Sequence, residues 1–77
     1  MVSTRVVLTA LLELNGPMPI GKLAEESGLP YPDVRQHMET NSERDDDGNF
    51  IDMYAWVFRD QDGHAVRHWY LTGKEQL

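Results

Sequence analysis

Apolar residues recur at helical spacing in the N-terminal half of the chain, and turn residues interrupt the pattern twice. The first apolar series consists of Val7, Leu8, Leu11, Leu12 and Leu14. A capping hydroxyl at Ser3 or Thr4 precedes the series, and Asn15-Gly16-Pro17 ends it, because glycine accepts the left-handed cap and proline does not continue a helix. We therefore predict a first helix over about residues 4–14.

Two further helices are predicted after the short extended connector Met18-Pro19. One covers about residues 20–27 and ends at Gly28. The other covers about residues 32–41, where Pro32 suits the first turn because the missing N–H of proline costs nothing there. The side of this third helix that is expected to face the core carries Val34, His37, Met38 and Asn41.

The C-terminal half changes from helical periodicity to aromatic and β-branched segments. Residues 42–49 are polar and acidic and are predicted to form a surface loop. A β-hairpin is predicted over about residues 50–71, with its turn near Asp62-Gly63, since Asp-Gly is a strong hairpin signal. Residues 72–77 are predicted to be a frayed tail. The whole chain, 1–77, is therefore interpreted as one α+β domain.

The segment from Ile20 to Val34 resembles the helix-turn-helix of small bacterial and phage transcriptional regulators. The resemblance depends on a small Ala24 where the helices cross, a turn at Gly28, and Leu29 and Val34 in the wedge between the helices. Three helices followed by a two-stranded hairpin is the order of elements in a winged helix-turn-helix domain. The resemblance implies this fold for nearly the whole chain.

The same resemblance implies a mode of DNA binding. The third helix would enter the major groove, and the hairpin would act as a wing on the backbone or minor groove. Arg35 suits a guanine, Gln36 suits an adenine, and Tyr31 near the helix start suits a phosphate. The DNA-binding residues implied by position are Tyr31, Arg35, Gln36, Thr40, Arg59, His64 and Arg67.

The charge of the chain favours a second interpretation. The formal net charge is -6, with 13 acidic residues against 7 Lys and Arg, whereas phosphate binding depends on cations. Carboxylates occur beside the predicted reading face and at the predicted wing tip, namely Asp33, Glu39, Asp60 and Asp62. An acidic winged helix would instead bind a basic protein partner or occupy a DNA-binding site in place of DNA. A structural role in an assembly is a third alternative.

The predicted hairpin has apolar residues on both faces. The aromatic face carries Phe50, Tyr54, Trp56, Phe58, Ala65, Trp69 and Leu71, and we expect it to cover the helices because large rings bury the most area. The second face would expose Met53, Val57, Val66 and Tyr70. Such a patch indicates an interface, and we expect a homodimer through the hairpin. The alternative is that the loop, the tail or the first helix covers the patch.

Other chemistries are not expected from this sequence. The chain has no cysteine, no phosphate-binding glycine loop and no nucleophile motif, so we do not expect an enzyme. The spacing of its three histidines matches no metal site, and no cofactor is expected. No apolar run approaches the roughly 20 residues of a membrane span, and no signal-peptide pattern is present. These features predict a cytoplasmic protein.

Overall fold

The computed structural model describes residues 3–73 and has the predicted α+β architecture, three helices followed by a two-stranded antiparallel hairpin. The helices are α1 (Thr4–Asn15), α2 (Ile20–Ser27) and α3 (Tyr31–Thr40), and the strands are β1 (Tyr54–Gln61) and β2 (His64–Leu71). The predicted helix boundaries agree with these to within one residue. Of the predicted tail, residues 74–77 lie outside the described residues.

Local hydrogen bonds set the ends of the first two helices. The Ser3 hydroxyl accepts a hydrogen bond from the Val6 N–H at 3.2 Å, which satisfies a donor at the start of α1. Gly28 ends α2 with a φ of +75°, and its N–H donates to the Ala24 carbonyl at 3.0 Å. Most side chains are strained at this φ, so glycine is favoured where the chain turns from α2 to α3.

The hairpin turn is the two-residue loop that the Asp-Gly signal predicts. Gln61 is paired with His64, which leaves only Asp62 and Gly63 in the turn. Both turn residues have positive φ, +54° and +82°. Two successive positive φ values define a type I′ turn, whose twist matches that of the flanking strands.

A backbone bridge joins the base of the hairpin to the connector between α1 and α2. The Met18 N–H donates to the Trp69 carbonyl at 2.9 Å, and the Trp69 N–H donates to the Met18 carbonyl at 2.8 Å. Both residues are buried. The bridge therefore fixes where β2 starts to project from the helices.

The core lies between the three helices and the base of the hairpin. Its buried residues are Leu8, Leu12, Met18, Ile20, Leu23, Val34, Met38, Met53, Tyr54 and Trp69. Tyr54 and Trp69 are fully buried, which confirms that the aromatic face of the hairpin packs on the helices. Farther along β1, Phe58 on the same face is 58% exposed, because the hairpin extends past the helices that cover its base.

Met53 was predicted to be exposed on the second face of the hairpin, and this prediction is wrong. Its side chain is 4% exposed and belongs to the core. Its carbonyl accepts the Thr72 N–H at 3.0 Å, and the Thr72 hydroxyl donates to the Asp52 carbonyl at 2.7 Å. These bonds continue the pairing beyond the strand ends, so Met53 is held against the core and Thr72 is not frayed.

His37 links α3 to the hairpin. Its Nε2 is hydrogen-bonded to the Tyr54 hydroxyl at 2.8 Å, and the two rings meet edge to face. Burial, followed by the nearby Arg5 cation, lowers the pKa of His37 below its ordinary value of 6.5. His37 is thus a partnered residue at the boundary of the core.

Gly28→Ala is expected to lower the free energy of unfolding by about 1 kcal/mol, because alanine would have to adopt a left-handed φ. A Cβ at Gly28 would meet no atom within 4 Å, so the cost is conformational only. Gly21→Ala is the matched control, since a Cβ there is equally free of contacts and its φ is helical. Urea denaturation in which both variants lose the same stability would contradict the assignment of the turn to Gly28.

Acid is expected to destabilise the protein partly through His37. Its pKa is lower in the folded chain, so the unfolded chain binds the proton more tightly. The contribution of neutral His37 is therefore complete above pH 6.5 and decreases as the pH falls below that value. We expect the Tm of His37→Gln to fall less than that of the wild type between about pH 7.5 and about pH 5. His64→Gln is the control. If the Tm of His37→Gln decreased with pH as much as the Tm values of the wild type and of His64→Gln, His37 would be excluded as a source of the acid sensitivity.

Candidate nucleic-acid interface

The outward side of α3 forms a strip of polar side chains. Val34 and Met38 are fully buried, so the residues on the opposite side of the helix face solvent. A shallow depression on this side is lined by Tyr31, Pro32, Arg35, Gln36, Glu39 and Thr40. The four residues of α3 that the sequence assigns to DNA are therefore neighbours on one exposed surface.

Glu39 pairs with two of the predicted DNA-binding arginines. Its Oε1 lies 3.2 Å from Nη2 of Arg67 and 3.5 Å from Nε of Arg35. The pair with Arg35 spans one turn of α3, whereas the pair with Arg67 joins α3 to β2. Both cations are thus partly neutralised by one carboxylate on the same surface.

Arg67 is also held by aromatic rings. Its guanidinium carbon lies 5.3 Å from the ring centroid of Trp56 and 5.2 Å from that of Trp69. Stacking on rings and pairing with Glu39 fix the direction of this side chain, whose exposed fraction is 34%. Arg67 therefore acts as a connection between the hairpin and α3 in this structure.

The other predicted DNA-binding side chains differ in exposure and in whether they already form hydrogen bonds. The Thr40 hydroxyl donates to the Gln36 carbonyl at 2.8 Å within α3. The Gln36 side chain has no hydrogen-bond partner within residues 3–73 and is exposed. Arg59 and His64 are exposed on the distal part of the hairpin, away from the α3 strip. Gln36 is consequently the side chain best placed for a new hydrogen bond.

An open groove separates the hairpin from the starts of α2 and α3. Its walls are Pro19, Gly21, Lys22, Glu25, Tyr31, Gln61, Asp62, His64, Val66 and His68. The N-cap residues of the two helices are Pro19 and Pro30, and neither supplies a side-chain hydrogen bond to the first N–H groups. Uncapped N-termini with a partial positive charge therefore adjoin the groove.

Sequence reasoning did not identify the α2 side of this groove. Proline before a helix, followed by Gly21 and Lys22 in the first turn, is the signal that indicates it. Proline leaves the N-terminal donors uncapped and glycine leaves the backbone accessible. Lysine adds a cation, whose Nζ lies 3.9 Å from Oε1 of Glu25 on the same wall. The opposite wall contributes His64 and His68 from β2.

The second face of the hairpin is exposed only in part. Val57 is 42% exposed, and Val66 and Tyr70 are half-buried. With Met53 in the core and Ala55 buried on the same face, the predicted interface is reduced to three residues. The patch that the sequence predicts on this face therefore loses Met53 and retains Val57, Val66 and Tyr70.

The acidic loop is folded on itself. One carboxylate oxygen of Asp45 accepts the backbone N–H groups of Asn49 at 2.8 Å and Asp47 at 3.0 Å. The bond from Asn49, then that from Asp47, lowers the pKa of Asp45 despite its exposure. Over residues 3–73, no three His, Asp or Glu side chains are grouped so that they could hold a metal ion.

Comparison of the chain with protein-family models, curated proteins and solved structures gave no match. None of the helices within residues 3–73 has the length and apolar character needed to cross a membrane.

Proposed function

We propose that the protein is a small DNA-binding transcriptional regulator with a winged helix-turn-helix fold, in which α3 enters the major groove and the hairpin acts as the wing. The main support is the exposed strip on α3, which lies next to the groove between the hairpin and the helix N-termini. A helix with polar side chains on its free face, flanked by a projecting ribbon, has the shape that a major groove and its adjacent backbone require.

Each part of this surface has a role in the proposal. Gln36 forms a bidentate hydrogen bond with an adenine, and Arg35 bonds a guanine. Tyr31, at the start of α3 and 50% exposed, donates its hydroxyl to a phosphate. The uncapped start of α2, together with Lys22, binds a second phosphate through backbone N–H groups and one cation.

A protein-binding function is the second candidate, and the pairing of Glu39 is the observation that favours it. Glu39 neutralises Arg35 and Arg67, the two arginines nearest the centre of the surface. The candidate DNA-binding elements α3, β1, the turn and β2 then carry four carboxylates against three guanidinium groups: Asp33, Glu39, Asp60 and Asp62 against Arg35, Arg59 and Arg67. Such a surface would suit a basic partner protein.

Fluorescence anisotropy with random duplex DNA distinguishes the two candidates. A DNA-binding protein should bind at about 20 mM salt and lose affinity steeply as salt increases, because counterions are released from the phosphates. Arg35→Ala should weaken binding by about tenfold, while Lys74→Ala, a control outside the described residues, should have a smaller effect. Absence of binding at about 20 mM salt would contradict the DNA proposal and favour the protein partner.

Glu39→Gln is expected to increase DNA affinity by roughly three- to tenfold at low salt and to steepen the salt dependence, because two arginines become available to phosphates or bases. The loss of folding stability should stay below about 1 kcal/mol, since the ion pairs are substantially exposed. Glu26→Gln, on the exposed face of α2, makes the same change in net charge and is the matched control. Equal effects of the two variants would show that only net charge matters.

A further inference from the structure

One edge of the hairpin has backbone groups that have no partner within residues 3–73. Trp69 directs its N–H and carbonyl to Met18, on the side away from β1. Opposite residues of an antiparallel pair turn their backbone groups either both toward or both away from each other. Trp56 is opposite Trp69, so the backbone groups of Trp56 also point away from the hairpin.

The backbone groups of every second residue of β1 point away from β2 in the same way. Tyr54, two residues earlier, donates its N–H outward to the Asn41 carbonyl at 3.1 Å. By alternation, Trp56, Phe58 and Asp60 direct their N–H and carbonyl groups to the open edge. Within residues 3–73 these groups find no backbone partner. Exposed edges of this kind are templates for pairing with another strand.

Charged and aromatic side chains follow one another along this edge. Phe58 is 58% exposed and contacts Trp56 edge to face, with 5.2 Å between the ring centroids. The guanidinium groups of Arg44 and Arg67 lie 5.2 Å and 5.3 Å from the Trp56 ring centroid. Asp60 follows on the same face of β1. The edge therefore presents a cationic end, where Glu39 neutralises part of the charge of Arg67 but Arg44 adds a second cation, an aromatic centre and an anionic end.

We propose that β1 pairs with β1 of a second copy of this chain, about a two-fold axis at Phe58, to form a four-stranded antiparallel sheet. Phe58 then faces Phe58 of the second copy, and Trp56 faces Asp60. Both backbone groups of all three edge residues gain hydrogen bonds. The Asp60 carboxylate is placed beside Trp56 of the second copy, where Arg44 and Arg67 supply opposite charge.

Other registers of the β1–β1 pair leave more backbone groups of the edge without hydrogen bonds or bring like charges together. An axis at Val57 places Trp56 opposite Phe58 but leaves Asp60 opposite Tyr54, whose N–H is already bonded to Asn41. An axis at Asp60 places two carboxylates directly opposite each other, which is destabilising. An axis at Trp56 places Phe58 opposite Tyr54, whose N–H is already bonded to Asn41. The charge order and the free backbone groups thus select the axis at Phe58.

This dimer differs from the one that the sequence predicts. The sequence placed the interface on the second face, which retains Val57, Val66 and Tyr70 after Met53 is assigned to the core. The proposed dimer uses the edge and the aromatic face instead, and it does not depend on DNA binding. Its partner is specified by self-complementarity, because each end of the edge meets the opposite charge only in a two-fold arrangement.

Sedimentation equilibrium tests the proposed edge at about 150 mM salt, which screens repulsion between two acidic chains. The wild type should form a dimer, and Phe58→Lys should raise its dissociation constant by about tenfold or more, because the change occurs twice across the axis. Val57→Lys is the control: it is the adjacent exposed position and points to the other face. A wild type that stays monomeric, or a larger effect at Val57, would overturn the proposal.

Charge reversal gives an independent comparison. Asp60→Lys should weaken the dimer about tenfold, since lysine would face Arg44 and Arg67 of the second copy. Asp46→Lys makes the same charge change in the acidic loop and should leave the dissociation constant within about threefold. Equal weakening by both variants would show that net charge, not the edge register, controls association.

Amide hydrogen exchange reports the register directly. At concentrations where the dimer forms, the N–H groups of Trp56, Phe58 and Asp60 should become protected. Those of Ala55, Val57 and Arg59 face β2 and should be protected in the monomer as well. A dimer in which the N–H groups of Trp56, Phe58 and Asp60 exchange as fast as in the monomer would overturn the proposed pairing.

Discussion

The position of the hairpin depends on Trp69. Its backbone exchanges two hydrogen bonds with Met18, and its side chain is fully buried among residues of all three helices and β1. The buried Nε1–H has no hydrogen-bond partner within residues 3–73, at a cost of about 1–3 kcal/mol. Truncation of a buried tryptophan costs about 3–5 kcal/mol, so packing outweighs this unsatisfied donor. With Trp69 in place, the positions of the groove and of the open edge follow from the direction of the two strands.

Glu39 connects folding with the proposed function. The same carboxylate that joins α3 to β2 through Arg67 also occupies Arg35 on the surface assigned to DNA. For an exposed pair the gain in stability is small, whereas the effect on a phosphate ligand is larger, because each available cation adds to the salt-dependent affinity. This residue is therefore more informative about binding than about the stability of the fold.

The sequence predicted the elements but not the contacts between them. Gly28 and Asp62-Gly63 could be located because their backbone conformations are local properties of glycine and of the Asp-Gly pair. The burial of Met53 could not be predicted, because it depends on Thr72 returning beside it at the end of the hairpin. The pairing of Glu39 with Arg67 is hidden for the same reason, since it joins residues 28 positions apart.

Two of the contacts that join the hairpin to the rest of the fold differ in chemistry. The base is fixed by the buried bridge at Met18, which solvent ions do not reach. The second attachment, between Glu39 and Arg67, is a partly exposed ion pair that dissolved salt weakens. Dissolved salt is therefore expected to weaken the connection between α3 and β2 while it leaves the buried bridge at the base of the hairpin intact.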